Sequence, residues 1–294
     1  MNRAGLKPSQ RRGQNFLLDN NQLRFIAETG CLGPDDVTLE VGPGSGFLTR
    51  YIAKSGSIVL AVELDRGLLP LAQEETKNLP NVFFLQGDIL AGKNAINPDV
   101  LQKLDEMLAL KRTMLADEAT KSGLPAREAV LKCVSNLPYS AGTPFVMNLL
   151  SSPMPWKTGV FLLQKEVAER IGAAPGGKAY GALSIGAGLA ATTSIERIVP
   201  PRCFWPRPNV DSAIIKMDFL PVEERLALPW KGIKRIATAV FGSRRKTLRN
   251  ALKGVFADSS PDDILAQCNI DPGSRGETMT PGEFKMLGEI WEKQ

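Results

Sequence analysis

Histidine is absent from the 294 residues. That excludes a Ser-His-Asp triad, a Cys-His pair and a histidine metal site. It also makes reactions that need a base titrating near neutrality poor candidates. Cysteine is scarce. Cys31, Cys133, Cys203 and Cys268 lie far apart with no C-x-x-C spacing, so neither a zinc site nor a disulfide framework is expected, and no metal. No apolar run approaches the ~18 residues of a membrane span, and the basic N-terminus lacks the apolar stretch of a secretion signal. A cytoplasmic protein without membrane association is expected. Chemistry must come from carboxylates, amides, Lys, Tyr, backbone groups or a cofactor.

Apolar residues make up 43% of the chain and charged residues 23%, enough to bury a sizeable core. The net charge of +5 is unevenly spread. Residues 1–14 carry four basic residues and no acid, among them Arg11 and Arg12. Residues 15–196 are close to neutral at −3, whereas residues 197–253 hold 13 basic and 4 acidic residues, a net +9. A near-neutral body with basic patches fits a polyanionic partner.

Short apolar runs at Val37–Val41, Ile58–Glu63, Val82–Gln86, Leu131–Ser135 and Gly159–Gln164 read as buried parallel strands. Helical patterns at Phe47–Ala53, Arg66–Thr76 and Thr143–Leu150 alternate with them, which predicts an open α/β sheet. Ser194–Val199 and Ala213–Phe219 flank the Pro-rich Pro200–Pro208 and predict a closing antiparallel hairpin. Beyond Leu220 the strand pattern stops. Ile233–Phe241, Lys246–Phe256, Pro261–Gln267 and Pro281–Glu292 read as helices. Two domains follow from this, residues 1–221 and an all-helical 222–294. The stretch from Asp88 to Asn136 is longer than a crossover needs. Leu101, Leu104, Leu108 and Leu115 fall near helical spacing there, which predicts an inserted helix or helical hairpin over about 92–128.

Four strand ends carry chemistry. Val41-Gly42-Pro43-Gly44-Ser45-Gly46 is a glycine turn between a strand and a helix, where the backbone can approach a ligand closely. Its spacing is G-x-G-x-G rather than the G-x-G-x-x-G of a pyrophosphate loop. The next strand ends in Glu63, placed to accept both hydroxyls of a ribose, and the third leads to Asp88, placed to accept from an adenine amino group. In open α/β sheets such ends line the ligand crevice. A nucleoside ligand is expected. The fourth strand ends in Asn136-Leu137-Pro138-Tyr139. Asn136 brings a side-chain acceptor, Pro138 fixes where the Leu137 carbonyl points, and Tyr139 brings a flat ring. Two acceptors and a ring make a clamp for a planar amino group.

With these motifs stand Gly13-Gln14-Asn15-Phe16-Leu17, Gln164-Lys165-Glu166-Val167-Ala168-Glu169-Arg170, Lys178-Ala179-Tyr180-Gly181 and Pro206-Arg207-Pro208-Asn209-Val210-Asp211-Ser212-Ala213. From about Leu6 to the C-terminal helices the chain resembles the small-subunit ribosomal RNA adenine N6-dimethyltransferases, the kasugamycin-resistance dimethylases. The resemblance implies a class I S-adenosylmethionine-dependent methyltransferase fold, α/β and Rossmann-like, with a helical RNA-binding C-terminal domain. It implies dimethylation of two adjacent adenines near the 3′ end of 16S rRNA by a monomer acting on the pre-30S subunit, with a role in subunit biogenesis. Asn15 and Leu17 would cover the methionine end of S-adenosylmethionine, and Gly42 and Gly44 would meet it from below. Glu63 would hold the ribose and Asp88 the adenine. Asn136, with Leu137 and Pro138, would hold the target amino group, next to the cofactor. Tyr139 would stack on the target base and Phe204 would close its other face. Phe241–Leu248 looks like a helix start of that family, from which Arg244, Arg245 and Lys246 would grip phosphates, with Arg11 and Arg12 guiding the RNA.

A 23S rRNA adenine methylase of the macrolide-resistance type shares motifs of the Gly13–Phe16 and Asn136–Tyr139 types, but the Pro206–Ala213 run and the helical tail favour the small-subunit enzyme. A non-catalytic rRNA-binding assembly factor is the alternative of a different class. Intact Glu63, Asp88 and Asn136–Tyr139 argue against it. An NAD-dependent oxidoreductase comes third.

Overall fold

A computed structural model describes residues 15–92, 95–257 and 259–294. The described chain opens with a two-residue strand, β1 (Phe16–Leu17), and helix α1 (Asn20–Thr29). Asp19 caps α1, its carboxylate accepting from the Asn21 and Gln22 N–H groups. Strands and helices then alternate: β2 (Asp36–Val41), α2 (Phe47–Ala53), β3 (Ile58–Glu63), α3 (Leu69–Glu75), β4 (Val82–Gln86), α4 (Pro98–Ser122), β5 (Val130–Asn136), α5 (Tyr139–Leu150) and β6 (Trp156–Gln164). Helices α6 (Lys165–Ile171) and α7 (Ala182–Ala190) lead to β7 (Ala191–Val199), β8 (Phe204–Trp205) and β9 (Ser212–Phe219). Helices α8 (Val222–Leu226), α9 (Trp230–Phe241), α10 (Leu248–Ala251), α11 (Pro261–Gln267) and α12 (Pro281–Glu292) complete it.

The seven-stranded sheet runs β4-β3-β2-β5-β6-β9-β7. The first five strands pair in parallel, and β9 lies antiparallel to both β6 and β7. This is the open sheet with the closing hairpin read from the apolar runs. Central β2 is buried at all six residues, because helices cover both faces of a parallel sheet. From β2 the chain steps first to β3 and β4, then returns to β5 on the other side. The order therefore reverses between β2 and β5, and the carboxyl ends part there to leave a crevice.

Residues 98–122 form one helix, not a hairpin. Asn97 caps it, Pro98 takes its first position, and Gly123 ends it in a left-handed conformation (φ 68°). Its first five turns bury Val100, Leu104, Met107, Leu108 and Leu115 against the sheet core. The buried Lys111 reaches across to donate to the Pro34 carbonyl at 2.7 Å. The helix is thus the β4-to-β5 crossover itself, prolonged by an exposed final stretch.

The helical region after Phe219 has its own core of Ile233, Ile236, Val240, Leu248, Phe284 and Leu287, but Tyr180 and Ile185 also belong to it. Helices α9 and α12 meet so closely that a Cβ on Gly232 would lie 2.3 Å from the Gly288 carbonyl oxygen. The buried Arg225 joins this region to the sheet. Its guanidinium donates to the carbonyls of Leu220, Leu150, Ser152 and Met154 at 2.6–3.1 Å. The helix expected over Lys246–Phe256 shrinks to α10, because Thr247 is extended and bridges to Arg275 and Gly254 turns left-handed.

Candidate active site

The crevice at the β2/β5 switch point is a cleft of about 340 Å³. Asn15, Leu17, Gly42, Gly44, Glu63, Asp88, Asn136, Leu137, Pro138 and Tyr139 all line it. The glycine turn forms its floor. Gly42 and Gly44 have φ of 68° and 57°, the left-handed region that side chains disfavour. A Cβ on Gly44 would come 2.9 Å from the Phe16 ring, and one on Gly42 would come 3.3 Å from Pro138. Backbone thus approaches the cleft where any side chain would crowd its walls.

Glu63, at the end of β3, is buried and held from both sides. Its Oε2 accepts the Gly44 N–H at 3.0 Å and its Oε1 accepts the Asp65 N–H at 2.8 Å. Burial raises its pKa from the ordinary value. A carboxylate has further lone-pair sites, so both oxygens can still accept from a ligand. Asp88 is exposed and turned by a hydrogen bond from the Leu90 N–H to its Oδ1 at 2.9 Å. The Asn136 carboxamide donates through Nδ2 to the Asn15 carbonyl at 3.2 Å, which fixes the side chain and commits Oδ1 to an acceptor role. The Leu137 N–H donates to the Leu162 carbonyl at 3.1 Å, setting the peptide of the clamp. Tyr139 shares a hydrogen bond with Ser212 Oγ at 2.8 Å, so its ring is anchored from β9.

Glu40 lines the cleft as well, although its place in the strand before the glycine turn had suggested no role. Its side chain is 1% exposed, and its Oε2 has no hydrogen-bond partner among the described residues. Burial, with the Glu63 charge adding to it, pushes its carboxyl up to about 8. An acid one residue before the end of a short strand leading into the glycine turn was the available signal. Ser212 was visible only as part of a motif. Ser135, whose Oγ accepts the Val41 N–H at 2.9 Å where backbone pairing between β2 and β5 has ended, carried no signal at all.

Two sets of expected residues stand elsewhere than in the cleft or at a helix start, and a third lies outside the described residues. Phe204 is 5% exposed and packs in the core cluster with Leu17 and Cys203, outside the residues that line the cleft. Arg244, Arg245 and Lys246 occupy a turn between α9 and α10, not the opening of a helix. Arg244 donates to the carbonyls of Lys178, at 3.3 Å, and Tyr180, and lies over the Phe241 ring, so it holds a loop. Arg245 and Lys246 are exposed. Arg11 and Arg12, like Gly13 and Gln14 of the first motif, lie outside the described residues.

Residues 6–290 match the model of the ribosomal RNA adenine dimethylase family. The chain belongs to that family. The chain is 36% identical over 292 residues to the Ribosomal RNA small subunit methyltransferase A of Lactiplantibacillus plantarum, spanning 98% of this chain and 91% of that one. It is 38% identical over 295 residues to the protein of the same name from Alkaliphilus oremlandii, spanning 98% and 93%. A dimethyladenosine transferase from Plasmodium falciparum shares the fold with a TM-score of 0.73 at 20% identity, covering 95% of this chain and 98% of that one. The 23S rRNA methyltransferase ErmE does so with 0.63 at 21%, covering 94% and 99%. As a member of the family the chain is a methyltransferase, and its cofactor is S-adenosylmethionine. The cleft fits that cofactor. Its glycine floor admits close backbone approach, its acids suit a ribose and an adenine, and the unpartnered Glu40 oxygen suits a cationic ligand.

Proposed function

We propose that the chain dimethylates N6 of two adjacent adenines near the 3′ end of 16S rRNA, on the pre-30S subunit in the cytoplasm, and so takes part in its biogenesis. One observation carries the reading. A single cleft joins strand-end acids suited to a nucleoside, Glu63 and Asp88, to the Asn136–Tyr139 clamp suited to a planar amino group. The small-subunit names of the relatives favour 16S over 23S rRNA. A monomer acting on the subunit is part of this reading.

In this reading Glu63 holds the ribose, Asp88 the cofactor adenine, and Asn15 and Leu17 cover the methionine end over Gly42 and Gly44. The cofactor supplies an activated methyl group on a good leaving group. The exocyclic nitrogen of adenine is a poor nucleophile because its lone pair is delocalised into the ring. Asn136 Oδ1 and the Leu137 carbonyl accept its two N–H groups, bend the nitrogen out of the ring plane and aim the lone pair at the methyl carbon. Tyr139, tethered to Ser212, stacks on the base. Orientation of this kind supplies several kcal/mol of barrier lowering. The methylated nitrogen is strongly acidic and loses its proton to water, so a chain without histidine suffices. A base inside a duplex could not reach the clamp, so the target is single-stranded or flipped out.

The test is transfer of labelled methyl groups to purified small subunits lacking the modification, with large subunits in parallel and the product base identified. N6,N6-dimethyladenine in 16S rRNA is expected. Label in 23S rRNA alone would point to the macrolide-resistance type of activity. Tight rRNA binding without transfer would point to an assembly factor.

A further inference from the structure

The wall of the cleft continues outward into an exposed aromatic ring. Trp205 on β8 stands opposite Phe16 on β1, their ring centroids 6.4 Å apart and 25° from parallel. Phe16 is 8% exposed, sits over Gly44 and lines the cleft. Trp205 is 36% exposed. Its ring is therefore backed by a core-anchored neighbour and about a third exposed. The other tryptophans are used inside the fold. Trp156 is buried, and the indoles of Trp230 and Trp291 donate to the carbonyls of Arg225 and Val255. From Trp205 the loop runs to Ser212, whose hydroxyl holds Tyr139. One short segment thus connects the Phe16 side of the cleft to the ring of the clamp. The exposed Arg202 and Arg207 flank Trp205 on either side in the chain.

We propose that Trp205 is a stacking platform for a nucleobase next to the target adenine, with Arg202 and Arg207 taking adjacent phosphates; this rests on the RNA substrate proposed above. A target base drawn into the cleft leaves its neighbour without one stacking partner. A rigid indole at the rim replaces that partner, and it accepts any base because every base has a flat face. Trp205 touches neither the cofactor nor the reacting nitrogen in this scheme. It is a positioning residue that holds the strand while Asn136 and Tyr139 hold the target. Adjacent residues of a strand point to opposite faces, which is why Phe204 is in the core while Trp205 faces out.

The experiment compares the full chain with Trp205→Ala and Trp205→Phe. The probe is a single-stranded oligoribonucleotide carrying the adenine pair and its flanks. Trp205→Ala should weaken oligonucleotide binding and raise KM for small subunits about tenfold, within the range of one base–aromatic stack. The kcat should stay within about twofold, since the reacting groups are untouched. S-adenosylmethionine affinity, measured by calorimetry, should be unchanged, which also reports that the variant folds. Trp205→Phe should bind RNA nearly as the wild type does, yet lose most of the RNA-induced quenching of tryptophan emission. That readout decides the matter even if the alanine variant fails to fold. Wild-type affinity in Trp205→Ala, or full quenching in Trp205→Phe, overturns the platform alone. A wild-type chain that neither binds nor methylates the RNA overturns the underlying reading and the platform with it.

Discussion

Glu40 offers the sharpest test of the electrostatics of the cleft. Its carboxyl titrates near 8 in the folded chain against an ordinary 4.5. At ~1.4 kcal/mol per unit, forming the carboxylate inside the fold costs about 5 kcal/mol. That is comparable to the whole stability of a marginal domain, about 5–15 kcal/mol. The sign follows from proton counts. Below pH ~4.5 both folded and unfolded chains hold the proton, so this residue contributes no slope. Between there and about 8 the unfolded chain has released the proton and the folded chain has not, so stability falls as pH rises. Above about 8 both are ionised and the loss is complete. Glu40→Gln removes the titration, and any misfit of the amide is independent of pH. Urea unfolding of both proteins from pH 5 to 9 is the assay. From its value at pH 5, the stability of the variant minus that of the wild type should climb by about 2.5 kcal/mol by pH 7 and about 4 by pH 9. A difference that stays flat across this range would refute the argument. A cationic ligand covering the orphan oxygen would draw the carboxyl back towards ionisation. S-Adenosylmethionine binding at pH 7 should therefore release a proton, seen as a buffer-dependent enthalpy, and Glu40→Gln should abolish that release.

Other substitutions probe single contacts. Glu63→Ala should weaken S-adenosylmethionine binding by ~1–3 kcal/mol, and Asp88→Ala should do so less, as measured by calorimetry; unchanged affinity in a folded Glu63 variant would sink its role. Asn136→Ala should slow methyl transfer by ~3 kcal/mol, the scale of one preorganised polar group, with cofactor affinity near wild type. Near-normal dimethylation would remove the clamp. Replacing Arg245 and Lys246 by Gln should lower the salt slope of rRNA binding by up to ~2, one unit per lost phosphate contact, and an unchanged slope would mean that they face elsewhere.

The parts of the fold that sequence made legible were those governed by strong local patterns. Strands β3 and β4 keep the bounds of their apolar runs, and the acids at or just after their ends stand at the cleft because parallel order puts every such end on one side. The pairing of β1 with β8 was not legible, since two residues cannot display a period. That gap left the burial of Phe204 unseen. A strand alternates its faces, so without knowing that Phe204–Trp205 is a strand in register with Leu17–Phe16, nothing decides which ring is buried. For residues 98–122 the helix was legible, but its place in the fold was not. Helical spacing was visible, but whether the helix covers the sheet or stands apart depends on burial, and only Val100 to Leu115 carry it.

Charge counting met its limit in residues 197–253. The net +9 predicted a phosphate-facing surface, yet Arg225 and Arg244 spend their donors on backbone carbonyls inside the chain. Arg225 is the stronger case, and it can be tested directly. It is fully buried, and the carbonyls it satisfies at Leu150, Ser152 and Met154 belong to the turn between α5 and β6. Because α5 begins at Tyr139, the same residue ties the helical region to the element that carries the clamp. Arg225→Met keeps most of the volume and removes every donor. Hydrogen bonds to a charged group are worth ~1.5–3 kcal/mol each, but bonds sharing one guanidinium are not additive and water can reach some of the freed carbonyls. A loss of ~3–5 kcal/mol in urea unfolding is expected. Arg225→Lys should recover little, because a compact ammonium cannot span carbonyls arranged around a planar fork. Amide exchange at residues 150–154 should quicken in both variants before that of β2 or β3. A methionine variant within about 1 kcal/mol of wild type would show that this arginine is dispensable to the join.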